Sequence, residues 1–113
     1  MIYLYSAENA DRLDPWFSQG IVILWFTASW CGTCRAVKRA LSGSNRETVP
    51  IIEIDVEGWK PLAERFHVRG VPMLLLLKDG EVLDRKGGSL DHAEFTAWYD
   101  SHPVLKPIGG PRD

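Results

Sequence analysis

At 113 residues, with apolar side chains at 45% and charged ones at 25%, the chain has the length and composition of one compact domain with a modest core and no room for a second. A formal charge of −2, with the basic residues scattered, gives no footprint for a phosphate backbone and argues against nucleic acid as a partner. The start, MIYLYSAENADRL, lacks a basic leader region, and no later run approaches the roughly 20 apolar residues that span a bilayer, so the expectation is a cytoplasmic monomer with no membrane partner.

In chain order, IYLY at 2–5 reads as a short strand. A helix is expected from about Ser6, whose hydroxyl suits an N-cap, with a break near Asp14 because Pro15 pushes the preceding residue out of helical geometry. One more turn, PWFSQ, ends at Gly20. IVILWFT at 21–27 is apolar on both alternating faces, the pattern of a central strand covered by helices on both sides. Ala36, Val37, Ala40 and Leu41 then recur at helical spacing opposite Arg35, Lys38 and Arg39, which predicts a helix over about Thr33 to Leu41, ended by SGSN. VPIIEIDV at 49–56 is the next strand, and KPLAERFHV is a short helix with Pro61 in its first turn.

MLLLLKDGEVLDRKGG changes the pattern: a strand enters Asp79-Gly80, the dipeptide favoured in two-residue type I′ turns, and leaves as EVLDRK. Gly87 and Gly88 suggest a bulge or a close backbone approach. Ser89 is the expected cap of a last helix with Leu90, Phe95, Trp98 and Tyr99 on its apolar face. The domain is expected over residues 1–101, with 102–113 a flexible tail rich in proline and glycine. Parallel βαβ units followed by a hairpin and a closing helix define an α/β fold, a central mixed β-sheet flanked by helices on both faces.

The two cysteines of the chain, Cys31 and Cys34, lie in FTASWCGTCRAVKRAL, at the junction of the central strand and the helix that follows. A structural zinc site needs four ligands, and His67, His92 and His102 are scattered without paired spacing, so no metal site is expected. Cysteines three apart in a first helical turn point the same way, within the Cα separation of roughly 4.4–6.8 Å that a disulfide tolerates. The one at the helix start also meets unpaired N–H groups and the positive end of the helix dipole, which favour thiolate over thiol. Cys31 is thus the candidate nucleophile. The alternative is a pair of small buried hydrophobes, against which stands their place at the carboxyl end of a central strand, where open α/β sheets put their sites.

WCGTCR at 30–35 resembles the thioredoxin motif Trp-Cys-Gly-Pro-Cys-Lys, and FHVRGVPMLLLLKDGEVLDRKGGSL at 66–90 resembles that family's proline loop and following hairpin without a gap. The resemblance covers roughly residues 1 to 101 and implies a thioredoxin fold and reduction of protein disulfides by dithiol-disulfide exchange, with no cofactor beyond a redox-active Cys31-Cys34 pair. It casts Cys31 as the attacking and Cys34 as the resolving cysteine. Pro72 corresponds to the family's cis-proline, and Val71 would offer backbone groups to an extended substrate strand. Trp30, Gly32, Thr33, Gly87 and Gly88 would complete the substrate groove, with Trp30 a surface platform. The implied partners are disulfide-containing proteins and an electron donor resembling thioredoxin reductase.

The chain also departs from the family pattern. Thioredoxins usually carry a buried Asp six residues before the first cysteine, where this chain has Trp25. That exchange avoids the desolvation of a buried carboxylate and removes the usual base, so a gain in stability is expected. Glu53 falls where many thioredoxins have a Lys near that Asp; it is either a general base that reaches Cys34 from the next strand or a solvated or Lys-paired strand residue. Thr33 replaces the motif's proline and puts a hydroxyl near the Cys31 sulfur, which predicts a protein more oxidising than a typical thioredoxin. Arg39 stands where the family often has a helix proline, so the helix is expected to be straighter. Trp59 is either half-buried cover or an extra contact beside the groove. Two other readings follow from these departures: a disulfide oxidase or isomerase, and a binding module or subunit of a larger assembly whose cysteines are incidental.

Overall fold

The computed structural model describes residues 2–43 and 49–105. These residues hold five strands and four α-helices: β1 (Ile2–Leu4), α1 (Ala10–Leu13), β2 (Ile21–Thr27), α2 (Gly32–Ser42), β3 (Ile51–Asp55), α3 (Lys60–Arg65), β4 (Met73–Lys78), β5 (Glu81–Gly87) and α4 (His92–Asp100). Turns of 3-10 helix add Asp14–Phe17 and Pro103–Leu105.

The sheet order is β1-β3-β2-β4-β5, with β1, β3 and β2 parallel and β4 and β5 antiparallel to their neighbours. The strand with apolar side chains on both faces is therefore the middle one. Ile23 and Trp25 point to a core shared with Val37 and Leu41 of α2 and Phe95, Trp98 and Tyr99 of α4. Val22, Leu24 and Phe26 point to the other core, with Leu13, Phe17, Ala63 and Phe66. Each large side chain fully buried this way contributes about 1.5–3 kcal/mol.

Asp79 and Gly80 have φ of 51° and 87°, the two positive values that a type I′ turn needs, and the Asp79 carboxylate accepts the Gly20 N–H at 2.8 Å. The register shift of the hairpin lies between Leu76 and Leu77, so the bulge is at Leu83 rather than at the glycines. Gly87 instead marks a close approach: a Cβ there would lie 3.2 Å from Met73 Cε.

Two helix starts differ from expectation. No helix starts at Ser6, because the Asn9 side chain accepts the Ser6 N–H at 2.9 Å and donates to the Leu4 carbonyl at 2.8 Å, holding a turn until Ala10. Ser89 does not cap α4; Asp91 does, accepting the Glu94 N–H at 2.8 Å while Glu94 accepts the Asp91 N–H at 2.9 Å, a reciprocal capping box. The packed chain also continues past residue 101, since Leu105 is 1% exposed and sits in the core shared by α2 and α4. Ser44, Asn45 and the tail from 106 onward lie outside the described residues. Helix α2 runs unbroken from Gly32 to Ser42.

Candidate functional site

The site grows out of the carboxyl end of β2. After Thr27 the chain turns through Ala28–Trp30, and the Cys31 N–H donates to the Ala28 carbonyl at 3.2 Å. Cys31 is the N-cap of α2 with an extended backbone, and the Cys34 N–H donates to the Cys31 carbonyl at 3.3 Å. The two residues form a disulfide, with Cα atoms 5.3 Å apart. Both are buried, Cys31 at 6% and Cys34 at 3% exposed, in a small cluster with Ala28 against which Val56 and Val71 pack. The Thr33 hydroxyl lies 3.4 Å from the Cys31 sulfur. Gly32 has open space where a side chain would begin.

The Val71–Pro72 peptide is cis. The Pro72 carbonyl accepts the Gly88 N–H at 3.1 Å, which ties the Gly87-Gly88 corner to the proline loop. No hydrogen bond involves the N–H or carbonyl of Val71 among the described residues. On this side Trp30, Val56, Val68, Arg69, Gly70 and Val71 line a shallow groove of about 140 Å³. Trp30 is 66% exposed, and its indole N–H donates to Glu57 at 2.8 Å, so the ring is an anchored plate rather than core.

The opposite side of the disulfide opens on a larger cleft of about 270 Å³, whose lining includes Cys34, Trp25, Arg35, Lys38, Glu53 and Asp55. Trp25 is register partner to Glu53 across β2 and β3, and by strand alternation both side chains lie on the α2 side of the sheet. Glu53 is partly buried and 3.9 Å from Lys38. Burial pushes its carboxyl above the ordinary value, Lys38 pulls it back, and Asp55 adds to the rise. The Trp25 ring is 1% exposed, and its N–H has no hydrogen-bond partner among the described residues. Where the family resemblance implies a buried carboxylate, this chain has a buried indole whose N–H is unpaired among the described residues.

The structure thus brings Cys31, Cys34, Thr33, Val71 and Trp30 around one disulfide, places Gly87 and Gly88 beyond Pro72, and puts Glu53 in a separate cleft that reaches Cys34. Trp59 belongs to neither surface: it packs edge-on against Tyr5, ring centroids 4.7 Å apart, as cover for the second core. Sequence reasoning missed Glu57 and the groove walls Val56, Val68 and Arg69. The available signal was the place of Val56 and Glu57 just past the carboxyl end of a parallel strand next to β2. Among the described residues no group of three or more His, Cys, Asp or Glu could hold a metal ion, and no helix is long and apolar enough to cross a membrane.

A disulfide at a helix N-terminus, beside a cis-proline loop on a mixed five-stranded sheet, defines a class of α/β proteins whose cysteine pair fits dithiol-disulfide exchange. The thioredoxin family model matches residues 7–101, and the chain belongs to the thioredoxin family. It is 31% identical over 97 residues to thioredoxin C-2 of Corynebacterium nephridii, covering 83% of this chain and 87% of that one. It is 35% identical over 106 residues to a thioredoxin of Chlamydia pneumoniae, covering 90% and 99%. Among solved structures, a point mutant of a Halobacterium salinarum thioredoxin superposes with a TM-score of 0.76 at 24% identity, covering 95% of this chain and 93% of that one. A Nicotiana alata thioredoxin gives 0.75 at 26%, covering 89% and 91%.

Proposed function

We propose that the protein is a protein-disulfide reductase. The observation that carries this reading is Cys31 at the start of α2, packed against Val71 and beside the groove under Trp30. In the dithiol form, Cys31 meets the free N–H groups of the first helical turn, which favour its thiolate as the attacking species. An extended substrate segment lies along Val71, whose backbone groups pair with it as an added strand, while Trp30 covers its side chains. Cys31 attacks one sulfur of the substrate disulfide and expels the other as a thiolate. Cys34 then attacks Cys31, forms the intramolecular disulfide and releases the second substrate sulfur. Two electrons pass from the pair to the substrate.

Resetting the pair requires an electron donor of the thioredoxin-reductase kind and a reducing compartment, here the cytoplasm; no resident cofactor takes part. The partners are disulfide-bearing proteins, met by a monomer. The Thr33 hydroxyl beside Cys31 favours a second reading, a more oxidising protein that donates its disulfide instead.

The test is reduction of insulin disulfides by the purified protein with dithiothreitol as donor, beside Cys31→Ser and Cys34→Ser. The expected result is turnover that Cys31→Ser abolishes. A wild-type rate no faster than dithiothreitol alone would overturn the reductase reading.

A further inference from the structure

We propose that Glu53 is the proton acceptor for Cys34 when the cysteine pair closes, and that Lys38 sets the pH range in which it works. The idea deepens the reductase reading and rests on it for its biological use, but the proton transfer itself belongs to the cysteine pair.

Closure has a proton to dispose of. Cys34 begins as a thiol, must become a thiolate to attack Cys31, and is 3% exposed, so bulk solvent has poor access to it. The cleft of about 270 Å³ behind it supplies a route, because Cys34 and Glu53 both line it and the volume admits solvent that carries a proton between them. The proton leaves Cys34 for the Glu53 carboxylate. The Cys34 thiolate then forms the bond to Cys31, and the bond from Cys31 to the substrate sulfur breaks with its electron pair on the departing thiolate. In the reverse direction Cys34 leaves as a thiolate and recovers the proton.

The groups around Glu53 fit this role. From α2 it faces Lys38, at 3.9 Å, and Arg35, which lines the same cleft. From β3 it faces Asp55, whose carboxylate is already engaged with the Glu57 N–H at 2.9 Å. Its register partners, Leu4 on β1 and Trp25 on β2, carry no charge. A carboxylate pushed up by burial is a stronger base than one on the surface, and the Lys38 cation at this distance opposes that rise. Trp25 closes the wall behind it without offering a competing acceptor, since its N–H can only donate.

The experiment measures pair closure without a protein substrate. Reduced protein is mixed with 5,5′-dithiobis(2-nitrobenzoate), and the second release of thionitrobenzoate, which follows attack by Cys34 on the Cys31 mixed disulfide, is timed in stopped flow between about pH 5 and 9. The expected wild-type rate is level near neutrality and falls on the acid side as Glu53 gains its proton. Glu53→Gln is expected to slow the second release by about 10–100-fold near neutrality and to replace the level region with a rate that climbs with pH. Lys38→Met keeps the carboxylate but removes the cation, so the acid limb is expected to move to higher pH. An unchanged rate and profile in Glu53→Gln, or an unshifted acid limb in Lys38→Met, would overturn the proposal. Failure of insulin reduction with normal, Glu53-dependent closure would instead count against the reductase reading alone.

Discussion

Trp25 and Glu53 are register partners across the parallel β2–β3 pair and share the face of the sheet that carries the cleft behind Cys34. Their pairing joins the largest side chain of the central strand to a partly buried carboxylate. The two do not hydrogen-bond, and the indole N–H stays unpaired among the described residues. An unpaired buried donor costs about 1–3 kcal/mol, which the burial of the ring has to exceed.

That balance predicts the response of Trp25 to truncation. Trp25→Phe removes the orphan N–H together with part of the ring, so the two effects oppose each other and the loss is expected to stay within about 1.5 kcal/mol. Trp25→Ala removes the ring from the α2–α4 core with nothing in return and is expected to cost about 3–5 kcal/mol. Urea unfolding of the oxidised proteins measures both. A Phe variant as unstable as the Ala variant would show that the N–H is not a liability.

His67 offers a gain instead. It is exposed at the end of α3 with φ of 57°, in the left-handed region that favours glycine. An L-residue there carries about 1–2 kcal/mol of backbone cost, part of which glycine gives back through the freedom of its unfolded chain. His67→Gly is expected to stabilise by about 0.5–1 kcal/mol and to raise Tm by several degrees, with insulin reduction unchanged. A lower Tm in calorimetry would refute the argument.

Much of the fold was legible because its signals are local and redundant. IVILWFT shows two apolar faces, and Asp79-Gly80 has both the composition and the backbone angles of a tight hairpin. The cysteine pair was readable from spacing. The elements that escaped depend on side chains reaching across the chain. Ser6 and Ser89 look like caps, but Asn9 takes the backbone groups near the first and the Asp91–Glu94 box forms two residues after the second. Leu105 sits in a segment whose composition suggests fraying, and only its fit against the α2–α4 core decides otherwise. The grip of Glu57 on Trp30 spans 27 residues and has no local signature.

Asp84 predicts the acid side of the stability curve. Burial works to raise its carboxyl, but hydrogen bonds from the Trp98 indole at 2.9 Å, from the Arg85 N–H at 2.8 Å and from His102 at 2.8 Å, with the positive charge of that imidazole, together hold it below the ordinary value. A carboxyl lowered in the folded state adds stability that is present above its unfolded value and lost as pH falls through its folded one. Asp84→Asn is therefore expected to be less stable than wild type at neutral pH and to lose less on acidification below about pH 4. Parallel acid-melting curves for the two proteins would contradict this.

The Thr33 hydroxyl, 3.4 Å from the Cys31 sulfur, predicts a shift in redox balance. In the dithiol form it can donate to the Cys31 thiolate, an interaction with no equal in the disulfide. One such bond is worth about 0.5–1.5 kcal/mol, which corresponds to about 10–30 mV for a two-electron couple. Thr33→Val keeps the shape, removes the donor, and is expected to lower the potential by that amount in equilibration with glutathione. A potential equal to or above the wild-type value would remove the hydroxyl from the account.

On the proposed reading of the groove, Glu57 sets how Trp30 meets a substrate. The indole N–H is fixed at 2.8 Å by a carboxylate that touches neither cysteine, so Glu57 acts by positioning the ring. Without it the exposed plate samples several rotamers, and ordering it on binding costs about 0.5–1.5 kcal/mol. Glu57→Ala is expected to raise KM for a disulfide protein by about 2–10-fold with kcat nearly unchanged, because the ring orients substrate and leaves the sulfur chemistry alone. Trp30→Phe, which keeps a plate but has no N–H for Glu57 to hold, is expected to reproduce the KM effect and to show no further loss when combined with Glu57→Ala. A fall in kcat at constant KM would place Glu57 in the chemistry of the cysteine pair instead, and additive losses in the double variant would show that the two residues work separately.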